Sequence, residues 1–179
     1  RKGQTQLKRV PPYEQWALKI LTEADYGPYW QHPSYAPALF WDDFPDVPIL
    51  IIGGWYDSYT RSTCNNFIGL SARKEGPVRM LMGPWTHGSN TLEQSFAGDV
   101  EFGETAALNS FRDLHLRYFD WALKGVENGE VEEPVVRIFV MGGGGGYRSS
   151  SGRLFHGGNW RDEAEWPLAR TRYTEYYLH

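Results

Sequence analysis

PILIIGGWYDSYTRSTCNNFIGLSARKEGPVRMLMGPWTHG, residues 48–88, holds two short apolar runs, each closed by glycine and each followed by a side chain that carries charge or a proton. The first run, PILII at 48–52, ends in Gly53 and Gly54, and Asp57 follows. The second, VRMLM at 78–82, ends in Gly83 and Pro84, and His87 follows. Apolar runs this short, bounded by turn residues, read as buried strands. Between them Cys64, Phe67, Ile68 and Ser71 recur at i, i+3, i+4 and i+7, and Arg73 and Lys74 precede Gly76, so residues 58–73 read as a one-sided helix. The unit is strand, helix, strand.

Two strands joined by a helical crossover pair in parallel, because the crossover returns the chain to the same end of the sheet. Asp57 and His87 therefore share the rim outside the carboxyl ends of the strands, where open parallel sheets gather their chemistry. An Asp that orients a His, which in turn takes a proton from a nucleophile, is the base half of a serine hydrolase. In the α/β-hydrolase chain order the Asp precedes the His, as here. On spacing alone two plainer readings stand beside this one. An Asp after a strand also serves as a helix N-cap, and a His in a turn is also a surface or hydrogen-bonded structural residue.

The strings VPILIIGGWYD and GPWTHG, followed by VVRIFVMGGGG and NWRDEAEWPL, resemble the CocE/NonD family of serine hydrolases, relatives of the X-prolyl dipeptidyl aminopeptidases. The resemblance runs over most of residues 11–179. It implies that Asp57 and His87 complete a Ser-His-Asp triad, with no cofactor or metal. It also implies the C-terminal part of an α/β-hydrolase sheet followed by the beginning of a jelly-roll-like β-sandwich, with residues 1–130 in the first and 131–179 opening the second. The substrates it implies are acyl esters or X-Pro peptides. Trp55, Tyr56 and Trp85 flank the two turns and are candidates either to shape an acyl pocket or to buttress the loops. No G-x-S-x-G occurs in the sequence. The resembled family carries its nucleophile and oxyanion donors ahead of this region, so the chain reads as the C-terminal portion of a longer enzyme, inactive alone.

Composition narrows the alternatives. A net charge of −4 with no basic stripe gives no field for nucleic acid. No apolar run approaches the roughly 18 residues of a membrane span. The lone Cys64 lies on the apolar side of the crossover helix and reads as a buried, inert thiol. The start at Arg1 rather than Met suggests that the true N-terminus is missing, and the compartment, cytoplasmic or secreted, stays open. An aromatic content of 16% also fits a noncatalytic binding module for carbohydrate or peptide.

Outward from the central unit, residues 1–10 read as a flexible lead-in. Pro11 and Pro12 open a helix whose face is Tyr13, Trp16, Ala17, Ile20, Leu21 and Ala24, ending near Asp25. The resemblance makes residues 1–45 a cap-proximal helix and loop, in which Trp30, Tyr35 and Trp41 are candidates to line an apolar pocket or to pack a core. Asp42, Asp43 and Asp46 lack the spacing of a calcium loop and read as solvated. Residues 105–124 read as a helix burying Leu108, Phe111, His115, Tyr118, Phe119 and Ala122, with His115 a packed core residue. Residues 125–134 form an acidic connector. The run 135–140 reads as a strand, and the five glycines at 142–146 as a mobile loop rather than a phosphate cradle. Half a sheet and the start of a sandwich leave edges open, so association through those edges is expected.

Overall fold

The computed structural model of the chain describes residues 2–178. They fall into two units, Arg1–Phe44 and Pro45–His179. In the first, α1 (Pro11–Thr22) opens on two prolines, where a missing backbone N–H costs nothing. It ends sooner than the apolar spacing predicts, and the Thr22 hydroxyl donates back to the carbonyls of Leu18 and Lys19. The lead-in is held rather than loose. Gln6–Arg9 form a 3-10 turn, and the buried Glu14 carboxylate accepts the Gly3 N–H at 2.8 Å and the Thr5 hydroxyl at 3.1 Å. Those bonds offset the desolvation of the acid.

Tyr29, Trp30 and Tyr35 pack ring against ring, and the Trp30 indole donates to the Glu23 carbonyl. A hollow of about 680 Å³ lies beside them, lined by Lys19, Glu23, Tyr29, His32, Ser34 and Tyr35. Its wall is polar as well as aromatic, and of the three aromatic residues expected there only Tyr35 lines it.

The second unit is built on the predicted strand, helix, strand. β1 (Ile49–Tyr56) and β2 (Val78–Thr86) pair in parallel, joined by α2 (Thr60–Ser71). The buried face of α2 is Thr63, Phe67, Gly69 and Leu70, whereas Ile68 is exposed and Cys64 half-buried. This stripe is turned from the one read in sequence because Thr63 seats against Gly53, where a Cβ would meet its methyl at 2.7 Å.

α3 (Phe111–Lys124) starts later than the periodicity suggests. The Ser110 hydroxyl caps it by accepting the Asp113 N–H, and Glu104–Ala106 ahead of it make a separate 3-10 turn. Tyr118 is buried as read, but Phe119 is about half exposed. β5 (Val136–Met141) adds in parallel to β2, and β7 (Gly158–Glu163) adds antiparallel to β5, giving the order β1-β2-β5-β7. This is a mixed α/β sheet. A small second sheet holds β3 (Phe96–Ala97), β4 (Val100–Glu101) and β6 (Leu154–Phe155). The glycines read as a mobile loop are tied down: the N–H groups of Gly142, Gly144 and Gly145 donate to the carbonyls of Gly157, His156 and Phe155.

Among the described residues, one apolar cluster gathers Ala97, Phe102, Ala106 and Phe139, and another Leu81, Trp85 and Leu92. Trp160 packs against both. Beside them runs a chain of alternating charge. Buried Arg79 meets buried Glu130 at 3.1 Å, Glu130 meets Arg117 at 3.0 Å, Arg117 meets Glu133, Glu133 meets Arg137 at 3.2 Å, and Arg137 meets Asp162 at 2.7 Å. The chain ties β2, α3, β5 and β7 together.

Candidate active site

Asp57 and His87 leave the sheet from adjacent strands. The register runs evenly from Ile49 opposite Val78 to Gly54 opposite Gly83, then slips so that Tyr56 faces Thr86. The slip brings the exits of the two strands together, and Gly54 permits it: a Cβ there would lie 2.2 Å from the Trp85 carbonyl oxygen.

The Asp57 turn is closed by its own side chain. One carboxylate oxygen accepts the Tyr59 N–H at 2.9 Å, the Asx-turn geometry that starts a helix. The other faces His87 Nδ1 at 3.1 Å. Burial, the largest influence on this carboxyl, opposes its ionisation. The Tyr59 N–H and His87 together outweigh it and hold Asp57 below the usual carboxylate range. The carboxylate is 13% exposed and the imidazole 68%. The pair therefore has a sheltered acid and an open base, with the Tyr59 ring 5.2 Å from the imidazole. Gly88, at φ +117°, lets the chain turn directly after His87.

The flanking aromatic residues divide by use. Trp85 is buried, packs 5.5 Å from Trp160 and donates its indole N–H to the Ala106 carbonyl at 3.0 Å. With Asp57, Ile52, Leu92 and Phe111 it lines a cleft of about 170 Å³. Tyr56 is exposed and lies 5.8 Å from Phe102.

Trp55 reaches past β2 and donates to the Phe139 carbonyl on β5 at 2.8 Å. The reason lies in Pro84. The parallel ladder begins with the Met80 N–H on the Val135 carbonyl, and each second residue along β2 bonds the second carbonyl along β5. By that step Pro84 falls opposite Phe139 and has no N–H to offer, and the Trp55 indole supplies the donor instead.

Other polar candidates serve structure. His115 contacts the Phe111 carbonyl through Nδ1 at 2.9 Å and packs on the Phe111 ring. Asp46 accepts the N–H groups of Glu75 and Gly76. Burial pushes the Cys64 thiol up. Among the described residues no three His, Cys, Asp or Glu side chains gather as metal ligands, and no helix is long and apolar enough to cross a membrane.

Three residues of the rim were not singled out in sequence. Tyr59 touches both members of the pair, and the hydroxyls of Thr60 and Thr91 bond the carbonyls of the two turns. Their signal was local: Asp or Gly followed three residues on by Thr is turn chemistry, which strand periodicity overshadows.

Comparison with known proteins adds three findings. Residues 1–89 match the family described as X-Pro dipeptidyl-peptidase (S15 family). The cocaine esterase of Rhodococcus sp. (strain MB1 Bresler) is 32% identical over 134 residues, 74% of this chain and 20% of that protein, so the chain spans about a fifth of this relative's length. The crystal structure of an aminopeptidase from a marine sediment archaeon, Thaumarchaeota archaeon, superposes with a TM-score of 0.61 at 22% identity, covering 90% of this chain and 24% of the other. That likeness is one of fold.

Proposed function

We propose, from the match of residues 1–89 to the S15 family and the 32% identity to a cocaine esterase, that the chain is of the S15/CocE hydrolase type and supplies the acid and base of a serine hydrolase acting on acyl esters or X-Pro peptides. The observation that carries the reading is the 3.1 Å contact between His87 Nδ1 and the sheltered Asp57 carboxylate on neighbouring parallel strands.

With Nδ1 turned to Asp57, Nε2 is the nitrogen that meets the reacting group. A serine outside these 179 residues attacks the carbonyl carbon, and its hydroxyl proton passes to His87 Nε2. Asp57 keeps the ring in the required tautomer and stabilises the imidazolium. When the tetrahedral intermediate collapses, the same proton goes to the departing alcohol or amine. Water, deprotonated by His87, then releases the acid from the acyl-serine. In this reading Tyr56 offers an exposed ring to the acyl group and Trp85 backs the cleft that reaches Asp57, whereas Trp55 buttresses the rim through the Phe139 carbonyl. The division at residue 130 that the resemblance implies cuts across one sheet, since β5 and β7 continue β1 and β2, so in this reading the hydrolase domain extends at least to Glu163.

The test is His87→Ala in the protein that contains this chain and its nucleophile, assayed on fluorogenic ester and X-Pro amide substrates. Loss of kcat by about three orders of magnitude or more is expected. Full turnover in the variant ends the reading.

A further inference from the structure

The His87 ring is 68% exposed, so packing does little to aim it. Its direction is set instead by the backbone on either side, and one hydroxyl grips that backbone. Thr91 Oγ1 lies 2.6 Å from the Gly88 carbonyl oxygen and 2.7 Å from that of Thr86, the two residues that bracket His87.

The bond to Gly88, three residues back, is the ordinary back-bond of a threonine in a tight turn. The one to Thr86, five residues back, lies beyond the turn and closes a ring around His87. The Thr91 N–H adds a third tie, to the Gly88 carbonyl at 3.1 Å. The two carbonyls share a single donated proton, so losing the hydroxyl frees the Thr86 carbonyl and leaves the Gly88 carbonyl only the Thr91 N–H. The Asp57 turn has its own tie: the Thr60 hydroxyl meets the carbonyls of Gly54 and Asp57. Thr60 also heads α2, which fixes that turn independently. The His87 turn leads only into a 3-10 turn, Ser89–Thr91, and depends more on its threonine.

We propose that Thr91 is a positioning residue, whose hydroxyl fixes the backbone on both sides of His87 and so holds Nδ1 on Asp57. This role rests on reading Asp57 and His87 as a working pair.

The test follows the neutral His87 ring by ¹⁵N NMR of histidine-labelled whole protein containing this chain, since the proton's position on Nδ1 or Nε2 reports the contact with Asp57. The wild type is expected to carry its proton on Nδ1. In Thr91→Val the ratio of Nδ1–H to Nε2–H should fall about fivefold, the factor that one weakened neutral hydrogen bond corresponds to, with backbone resonances away from the turn unchanged. Thr91→Ser, which keeps the donor, should restore the wild-type ratio. An unchanged ratio in Thr91→Val, or a loss in Thr91→Ser as complete as in Val, overturns the role. If Thr91→Val does not fold, Thr91→Ala takes its place by the same criterion. Asp57→Ala separates the two proposals. A ratio that drops in Asp57→Ala but not in Thr91→Val removes Thr91 alone, whereas no drop in Asp57→Ala removes the pair.

Discussion

Gly54 and Trp85 touch backbone to backbone, so closely that a Cβ on residue 54 would lie 2.2 Å from the Trp85 carbonyl oxygen. Alanine at 54 must therefore push β1 from β2 where Asp57 and His87 leave the sheet. We expect Gly54→Ala to destabilise the fold by about 1–3 kcal/mol, the usual cost of overpacking, and to lengthen the Asp57–His87 contact. Denaturant unfolding measures the first and the His87 ring ¹⁵N shifts the second. A variant as stable as the wild type with the contact intact contradicts this.

Asp57 makes stability depend on pH in a defined direction. Its folded carboxyl titrates below its unfolded value of about 3.9, so its contribution is complete above that value and is lost as pH falls through the folded one. An asparagine in its place has nothing to titrate. The stability gap between wild type and Asp57→Asn should narrow as pH falls below about 4. Urea unfolding at a series of pH values checks it, and a gap that widens toward acid has the wrong sign.

The alternating charges beside the core differ in worth. Glu130→Ala leaves Arg79 buried without its partner and should cost about 3–5 kcal/mol. Glu133→Ala removes an acid paired with two partly exposed arginines and should cost about 1 kcal/mol or less. Equal costs in thermal or chemical unfolding would show that burial does not set the difference.

Alone, the chain should neither turn over an acyl ester nor stay monomeric. The sequence holds no G-x-S-x-G for the proposed base to serve, and β1 ends the strand order with one edge unpaired among the described residues. Light scattering should report masses above the 20.6 kDa of one chain, rising with concentration. A steady monomer argues against open-edge association, and ester hydrolysis that survives His87→Ala argues against the site.

The central unit was legible because its signals are short-range and redundant. The apolar runs at 48–52 and 78–82, the glycines that close them and the single acid and imidazole beyond all point to one parallel pair. Tertiary contacts decided what was not legible. The buried face of α2 follows Thr63 because Gly53 leaves room for it, which hydrophobic spacing does not encode. α3 begins at a serine cap that apolar periodicity overran. Arg79 sits inside an apolar strand, and the return of Glu130 past it, with the Trp121 ring 5.2 Å from its guanidinium, makes that position tolerable. The glycines at 142–146 have no side chains to announce a pairing, yet their amides find the carbonyls of 155–157.

Pro84 leaves the Phe139 carbonyl without a ladder donor, and Trp55 fills the gap from two strands away. One indole thus works as a transverse stay, lashing the lip that bears the acid to a strand laid down some eighty residues later. Any motion that peels β5 outward tugs on that lip.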